Sequence, residues 1–274
     1  MRGGPNLEMA LRGNDILVVP EFMLSLAQEA FPTSRKIILV QNPFSYLTTF
    51  DDTRQRGIDP YAGVLLSLGV SQMCLEAIRL TGAGPDALVT VGPDFGIFEY
   101  RSDKKMQIAY MPRKRRAEAR VVIEALRRGG KVNGFDIVEV EGKPQASVAR
   151  ILSESMFFIS FLKRESLGFP AMEAMASGCV VVGYTGTGGR EYFDAETGIP
   201  VAEDDTAALV RAVEDSVEAY RADPRIFDEL RRRAAGRVTE RYAASQTTET
   251  LLSALRGVGL LSGNSDTTEL QEAS

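Results

Sequence analysis

The chain has 274 residues, 44% of them hydrophobic and 25% charged, with a net charge of −5. That is a globular composition, long enough for one large domain or two modest ones and without an overall cationic footprint for nucleic acid. Histidine is absent, which excludes Ser-His-Asp and Cys-His catalysis, histidine-ligated zinc and imidazole acid–base work, so any chemistry falls to carboxylates, Lys, Arg, Tyr, backbone dipoles or the substrate.

In chain order, residues 1–14 show no periodicity and read as a loose start or the remnant of a longer polypeptide. Residues 15–19 predict a strand, and residues 21–30 a helix carried by Phe22, Leu26 and Ala30. A second strand spans 36–40. Gln41-Asn-Pro-Phe-Ser45 then reads as an Asn-Pro turn, with a ligand-lining loop as the alternative. Residues 51–61 are polar and read as a loop. Strand 64–68, helix 71–80 with Ser71 as N-cap, and strand 87–91 follow, closed by the breaker cluster Gly92-Pro-Asp-Phe-Gly96.

The second half alternates more plainly. Strand 107–111 precedes a helix whose face is marked by Ala117, Val121, Val122, Ala125 and Leu126, closed by Arg128-Gly-Gly130. Strand 135–140, helix 146–152 and the apolar strand 156–161 lead to a loop, a short helix opening at Pro170 and stopping at Gly178, and the strand 179–183. Gly186-Thr-Gly-Gly-Arg190 is a glycine-rich turn before a short helical piece at 191–193. Strand 199–201 and helices 206–220, 224–242 and 245–255 complete the chain. Repeated strand–helix alternation predicts an α/β protein of two Rossmann-like domains, with parallel sheets carrying helices on both faces and a reduced N-terminal half. The expected domains are 1–103 and 104–260, with a polar, disordered tail at 261–274. No apolar run reaches membrane-span length and no signal peptide opens the chain, so a cytoplasmic location is expected. Cys74 and Cys179, in apolar surroundings, read as small core residues of a reducing compartment.

Some motifs can be set aside. There is no Walker A pattern, and Gly82-Ala-Gly-Pro-Asp-Ala87 has dinucleotide-like spacing but lies between a helix and a strand rather than after a strand. Asp51-Asp52 and Asp204-Asp205 read as solvated loop acids and a helix N-terminal charge, so no metal site is expected.

Glu173 is the anomaly of the second half, a carboxylate among Ala171, Met172, Ala174, Met175 and Ala176 on a helix apolar all round. A salt bridge near the helix N-terminus would satisfy it. So would a polar ligand lying over that N-terminus, with the backbone N–H groups of Gly168 and Phe169 toward an anion and Glu165 and Glu173 holding hydroxyls. Four expected strand ends deliver polar segments to one edge: Pro112–Arg116, Glu141-Gly142-Lys-Pro144, Lys163–Phe169, and Tyr184–Arg190 with Gly188 and Gly189. Together they offer cations, close backbone approach and two carboxylates, which suits a phosphate-bearing ligand with hydroxyls. For Arg113–Arg116 a solvated helix start is the alternative, although cations at a helix N-terminus oppose its dipole.

Glu165-Ser-Leu-Gly-Phe-Pro-Ala-Met-Glu173, continuing into Ala-Met-Ala-Ser-Gly178, resembles the E-x7-E signature of family 4 retaining glycosyltransferases of the GT-B fold. Gly188-Gly-Arg-Glu-Tyr192 and Thr197-Gly-Ile-Pro-Val201 are similar to that family's next blocks, and Lys105–Lys114 to the first strand of its donor-binding domain. The likeness covers about residues 104–202. It implies a metal-independent hexosyltransferase that needs no cofactor and takes a nucleotide-sugar donor as substrate, with a glycan, lipid-linked or small-molecule acceptor. A peripheral membrane contact at the inner face is compatible with it, and no nucleic-acid partner is expected. By resemblance Glu173 holds the ribose hydroxyls and Glu165 contacts the transferred sugar. Gly168 and Phe169 cradle the diphosphate, Arg113 and Lys114 neutralise the leaving phosphate, and Gly142, Gly188 and Gly189 line the donor. The family's glycine-rich loop after the first strand and its histidine are missing. The alternative is a non-catalytic GT-B-like subunit that binds a nucleotide sugar or a partner.

Overall fold

A computed structural model describes residues 12–261; most of the expected loose start and of the polar tail lies outside the described residues. Packing divides the chain into two compact units, residues 12–69 with 74–87, and residues 70–73 with everything described from 88 onward. The expected boundary at 103/104 coincides with the start of β5, some fifteen residues beyond the division that packing makes.

In the first unit β1 (Ile16–Pro20), β2 (Arg35–Val40), β3 (Val64–Gly69) and β4 (Asp86–Leu88) form one sheet in the order β1-β2-β3-β4, with β1–β2 and β2–β3 parallel. Its helices are α1 (Leu24–Ala30), α2 (Pro43–Gln55) and α3 (Gln72–Leu80). Two expectations need correction. The segment 21–30 opens with a 3-10 turn, and its inward face is Leu24, Ala27 and Gln28, while Phe22 and Leu26 are 61% and 57% exposed. Polar side chains turn it: buried Glu21 accepts the Gln41 N–H at 3.0 Å, Ser25 bonds Thr53 at 2.6 Å, and Gln28 donates to the Pro60 carbonyl at 2.8 Å. A buried polar face held by hydrogen bonds is invisible to hydrophobic periodicity. Likewise Asn42-Pro43 is a helix start and not a turn. The Asn42 side chain accepts the N–H groups of Phe44 and Ser45 at 3.0 and 3.1 Å, and Pro43 sits where a missing N–H costs nothing. Asp51 and Asp52 therefore belong to α2 and not to a loop.

The second unit is a five-stranded parallel sheet, β5 (Lys105–Met111), β6 (Asp136–Glu139), β7 (Ser155–Phe161), β8 (Val180–Tyr184) and β9 (Ile199–Val201), in the order β6-β5-β7-β8-β9. Helices α4 (Arg116–Gly129), α5 (Gln145–Glu154), α6 (Phe169–Ala176), α7 (Thr206–Ala222), α8 (Asp228–Arg241) and α9 (Ala244–Gly257) accompany it. The sheet separates two cores. Phe158 and Val181 pack with Leu152, Met172, Met175 and Val238 of α5, α6 and α8. Phe157, Val180 and Val182 pack with Val122, Leu126, Val213 and Val217 of α4 and α7. Every residue of β7 and β8 is buried, as their unbroken apolar runs require. On α4 the inward face is Ala119, Val122, Ile123 and Leu126, so Ala117 and Val121 point outward, contrary to expectation. The triplet Val121-Val122-Ile123 suits two helical phases, and the one that also buries Ala119 is adopted. Helix α8 starts at Asp228 after a turn, later than the expected residue 224.

Strand order fixes where a site can form. From β5 the chain steps outward to β6 and then returns to β7 on the opposite side of β5. The crossovers after β5 and β6 consequently leave the sheet toward opposite faces, and a crevice opens at the C-terminal ends of β5 and β7. No helix among the described residues is long and apolar enough to cross a membrane.

Candidate functional site

The loops leaving β5, β7, β8 and β9 converge at this edge of the second unit. Three non-glycine residues adopt positive φ among the described residues: Arg113 at 38°, Arg164 at 46° and Asp204 at 63°. Each follows one of these strands, and each conformation costs about 1–3 kcal/mol that the surroundings must offset. Strain gathered at one rim is the first structural mark of a site.

The turn into α6 is built around Gly168, which takes φ +82° at the N-cap. A Cβ there would stand 2.7 Å from Leu162 Cδ2, so glycine is required both by conformation and by space. The fully buried Tyr192 secures the turn, its hydroxyl lying 2.8 Å from the Gly168 carbonyl and 2.9 Å from that of Leu167. No side chain caps α6. Phe169 and Pro170 open the helix; Pro170 has no N–H and the Ala171 N–H donates to the Gly168 carbonyl at 3.2 Å, which leaves the N–H groups of Gly168 and Phe169 to meet an anion.

Glu173 follows one turn later. Its neighbours Ala171, Met172, Ala174 and Met175 are fully buried, and its own half-buried carboxyl has no hydrogen bond or ion pair with any described residue. Burial pushes its pKa up to about 7, against the opposing charge of Arg113. The salt-bridge reading of Glu173 is therefore not what the structure adopts. Glu165, in the β7–α6 loop, lies with its Oε1 3.2 Å from Lys114 Nζ, which also donates to the Arg164 carbonyl at 3.2 Å.

The glycine-rich turn after β8 closes on the same loop. The Gly188 N–H donates to the Glu165 carbonyl at 3.1 Å, and Thr187 Oγ1 donates to it at 2.9 Å. A Cβ on Gly188 would come within 1.6 Å of the Ser166 carbonyl oxygen, and one on Gly189 within 3.1 Å of Leu162 Cδ1. Gly188 and Gly189 thus serve loop-to-loop approach. Gly142 is brought less close: it occupies an exposed turn at φ +73°, nothing lies within 4 Å of its open side, and that turn's tie to the site is Glu141, 2.9 Å from Arg116.

Residues that the sequence reading passed over hold these loops. Arg115 is buried where its neighbours Arg113, Lys114 and Arg116 are exposed, and it pairs with Glu118, Glu203 and Asp204. Asp204 is 77% exposed, the solvated loop acid expected, and it is in addition held by Arg115, whereas Asp205 caps α7 through the Ala208 N–H at 2.8 Å, as expected of a helix N-terminal acid. A run of four cations gives no sign of which one turns inward, and nothing local announces Tyr192 or Glu203. Among the described residues no group of three or more His, Cys, Asp or Glu side chains could hold a metal ion.

Residues 108–218, which include β5 through most of α7 and all of the residues above, match the family model of glycosyl transferases group 1. The match lies wholly within the second unit. By sequence the chain is 28% identical over 236 residues to an alpha-1,6-glucosyltransferase of Actinobacillus pleuropneumoniae serotype 7 (strain AP76), an alignment that covers 82% of this chain and 71% of that protein. By structure it is similar to a TarM variant from S. aureus crystallised with fondaparinux, alpha-GlcNAc-glycerol and UDP (TM-score 0.62, 12% identity), spanning 85% of this chain but only 58% of TarM. It is also similar to Anabaena HepE in complex with UDP (TM-score 0.64, 11% identity, 88% of this chain and 78% of HepE). These likenesses establish a GT-B fold. The uncapped α6 with Glu173, and Glu165 in the loop before it, lie within the residues that match the family model.

Proposed function

We propose that this chain transfers a hexosyl group from a nucleotide-sugar donor to a hydroxyl of a glycan, a lipid-linked sugar or a small molecule, with retention at the anomeric carbon. The observation that carries this reading is Glu173, a half-buried carboxyl without a protein partner, one turn inside an uncapped helix N-terminus. A buried carboxylate without partners is costly unless a ligand supplies donors, and vicinal ribose hydroxyls supply two. The α6 N–H groups at Gly168 and Phe169 then face the diphosphate, and Arg113 and Lys114 offset the charge that grows on it as the glycosidic bond breaks. Glu165, beside Lys114, meets hydroxyls of the transferred sugar. Gly188 and Gly189 keep the facing loop close, and Gly142 stands at the outer margin of the donor.

In the reaction the bond from the anomeric carbon to the phosphate oxygen breaks and a bond to the acceptor oxygen forms. The acceptor proton departs with the nucleoside diphosphate or to water. UDP in the neighbouring structures and the glucosyl group in the relative's name make UDP-glucose the first donor to test, beside GDP- and ADP-glucose. The expected result is binding of one donor and release of its nucleoside diphosphate, accelerated by an acceptor. Binding with no release under any acceptor would replace transfer with a binding role.

A further inference from the structure

Arg115 has only 2% of its side chain exposed, and it faces protein and not solvent. Its Nη1 donates to Glu118 Oε2 at 2.9 Å and to Asp204, its Nη2 to Glu203, and its Nε to the Leu162 carbonyl at 3.3 Å. The guanidinium also lies over the Tyr184 ring, 4.4 Å from its centroid. Glu118 is itself held on its other oxygen by the hydroxyls of Tyr184 and Thr206, at 2.5 and 3.0 Å. These partners stand at the end of β8, just beyond β7 and β9, and in the first turn of α4 after β5, so one side chain joins the segments at four strand ends. The second oxygen of Glu203 accepts the Gly186 N–H at 2.9 Å, at the head of the glycine-rich turn.

Stability alone does not account for this arrangement. Removing the Arg115 guanidinium and most of Glu118 from water is expensive, even with Asp204 left in solvent, and well-packed apolar side chains would join strand ends at least as stably. What a planar fork adds is fixed geometry in several directions at once. Its grip falls beside two of the strained residues, Arg113 and Asp204, which are the positions most in need of being held.

We propose that Arg115 is the positioning residue of the donor site. It clamps the 113–114 segment to the 203–204 turn and, through Glu203, to Gly186, and so sets Lys114 against Glu165 and the Gly188 N–H against the Glu165 carbonyl. This inference rests on the donor reading above and adds to it what keeps the cations and the glycine turn in register.

The test uses the full chain. UDP-glucose turnover, UDP binding by calorimetry, thermal midpoint and hydrogen exchange are compared for the parent, Arg115→Lys, Glu203→Gln and the double variant. Lysine keeps the charge and loses the fork; glutamine keeps the shape and loses the ion pair. Arg115→Lys is expected to lower kcat about 100-fold, the scale of an ångström-level misplacement, while UDP affinity falls by no more than about tenfold, because the α6 contacts remain and only the cations at the diphosphate shift. Glu203→Gln should lower kcat about tenfold, and the double variant should be no slower than Arg115→Lys, since both remove one clamp. Exchange at Gly186–Gly189 should quicken about tenfold in Arg115→Lys, by more than any fall in the thermal midpoint accounts for. Parental kcat in Arg115→Lys, multiplicative losses in the double variant, or a kcat loss matching only the unfolded fraction would each overturn the inference. A parent that neither binds UDP nor turns over UDP-glucose would sink the donor reading instead. The exchange measurement needs no ligand and would then decide the clamp alone, with unaltered exchange in Arg115→Lys counting against it.

Discussion

If the donor ribose sits on Glu173 as proposed, the raised pKa of this carboxyl makes donor binding a proton-linked event. In the free protein burial holds this carboxyl at about 7. Two ribose hydroxyls donating to it favour the ionised form and return it toward the ordinary carboxylate range of about 4.5. Between these values the free protein binds a proton that the complex releases, so affinity falls as pH drops. With a free value of about 7 and a bound value of about 4.5, affinity at about pH 5.5 is roughly 30-fold weaker than at about pH 8, with nearly one proton released per donor bound. UDP-glucose is the ligand to use, because its diesterified phosphates do not titrate in this window whereas the terminal phosphate of UDP does, near pH 6. Calorimetry in buffers of different ionisation enthalpy reads the proton count directly. Glu173→Gln should remove the pH dependence and weaken binding at about pH 8 by roughly 1–3 kcal/mol, the scale of a lost charged hydrogen bond. The sign for stability is opposite to the usual carboxylate case. A folded pKa above the unfolded one means that stability falls as pH rises from about 4.5 to about 7, and Glu173→Gln should therefore stabilise the free protein above pH 7, by at most about 3 kcal/mol. A pH-independent affinity in the parent, or an undiminished slope in Glu173→Gln, would refute the placement of the ribose on this carboxyl.

Three further substitutions probe the same rim. Glu165→Ala should leave UDP affinity within about threefold and cut sugar transfer by about 100-fold or more, as measured by initial rates, because in the proposed pose it meets the sugar and not the nucleotide. Gly188→Ala places a methyl 1.6 Å from the Ser166 carbonyl oxygen, so denaturant melts should show a loss of roughly 2–4 kcal/mol or a visibly displaced loop. Tyr192→Phe removes the hydroxyl that holds the Gly168 and Leu167 carbonyls; a loss of about 1–2 kcal/mol of stability is expected in the same melts, with donor affinity weakened because the α6 turn loosens.

What could be read in the sequence follows how local the physics is. Strands β7 and β8 announce themselves because a strand covered on both faces has no polar positions to confuse the pattern. The turn into α6 is legible because a left-handed glycine, an early proline and an apolar helix are chosen by adjacent residues. Glu173 was visible as a contradiction within eight residues. Helix α2 was not visible, since its start resembles a turn and its middle is polar. The inward face of the 21–30 segment was misread because Glu21, Ser25 and Gln28 are buried by hydrogen bonds and not by apolarity.

The cation run 113–116 shows where local reading ends. Two of its members, Arg113 and Lys114, fit a phosphate by their type and position, and that inference needs only the strand end they follow. Arg115 differs from them in nothing that a sequence window contains. Its burial is decided by Glu203 and Asp204, nearly ninety residues later, and by Tyr184 on a different strand. Ligand-facing groups can be recognised from the chemistry of one loop, whereas the groups that hold those loops are defined by the pairing of strands. It follows that position 115 should tolerate less change than its exposed neighbour Arg116, even though Arg116 is the nearer in character to a surface charge. Arg116→Lys leaves a half-exposed ion pair with Glu141 of small worth, while Arg115→Lys keeps the charge but cannot hold three carboxylates and a carbonyl at once. Equal effects of the two substitutions on kcat would mean that the strand ends hold themselves and that the site needs no clamp.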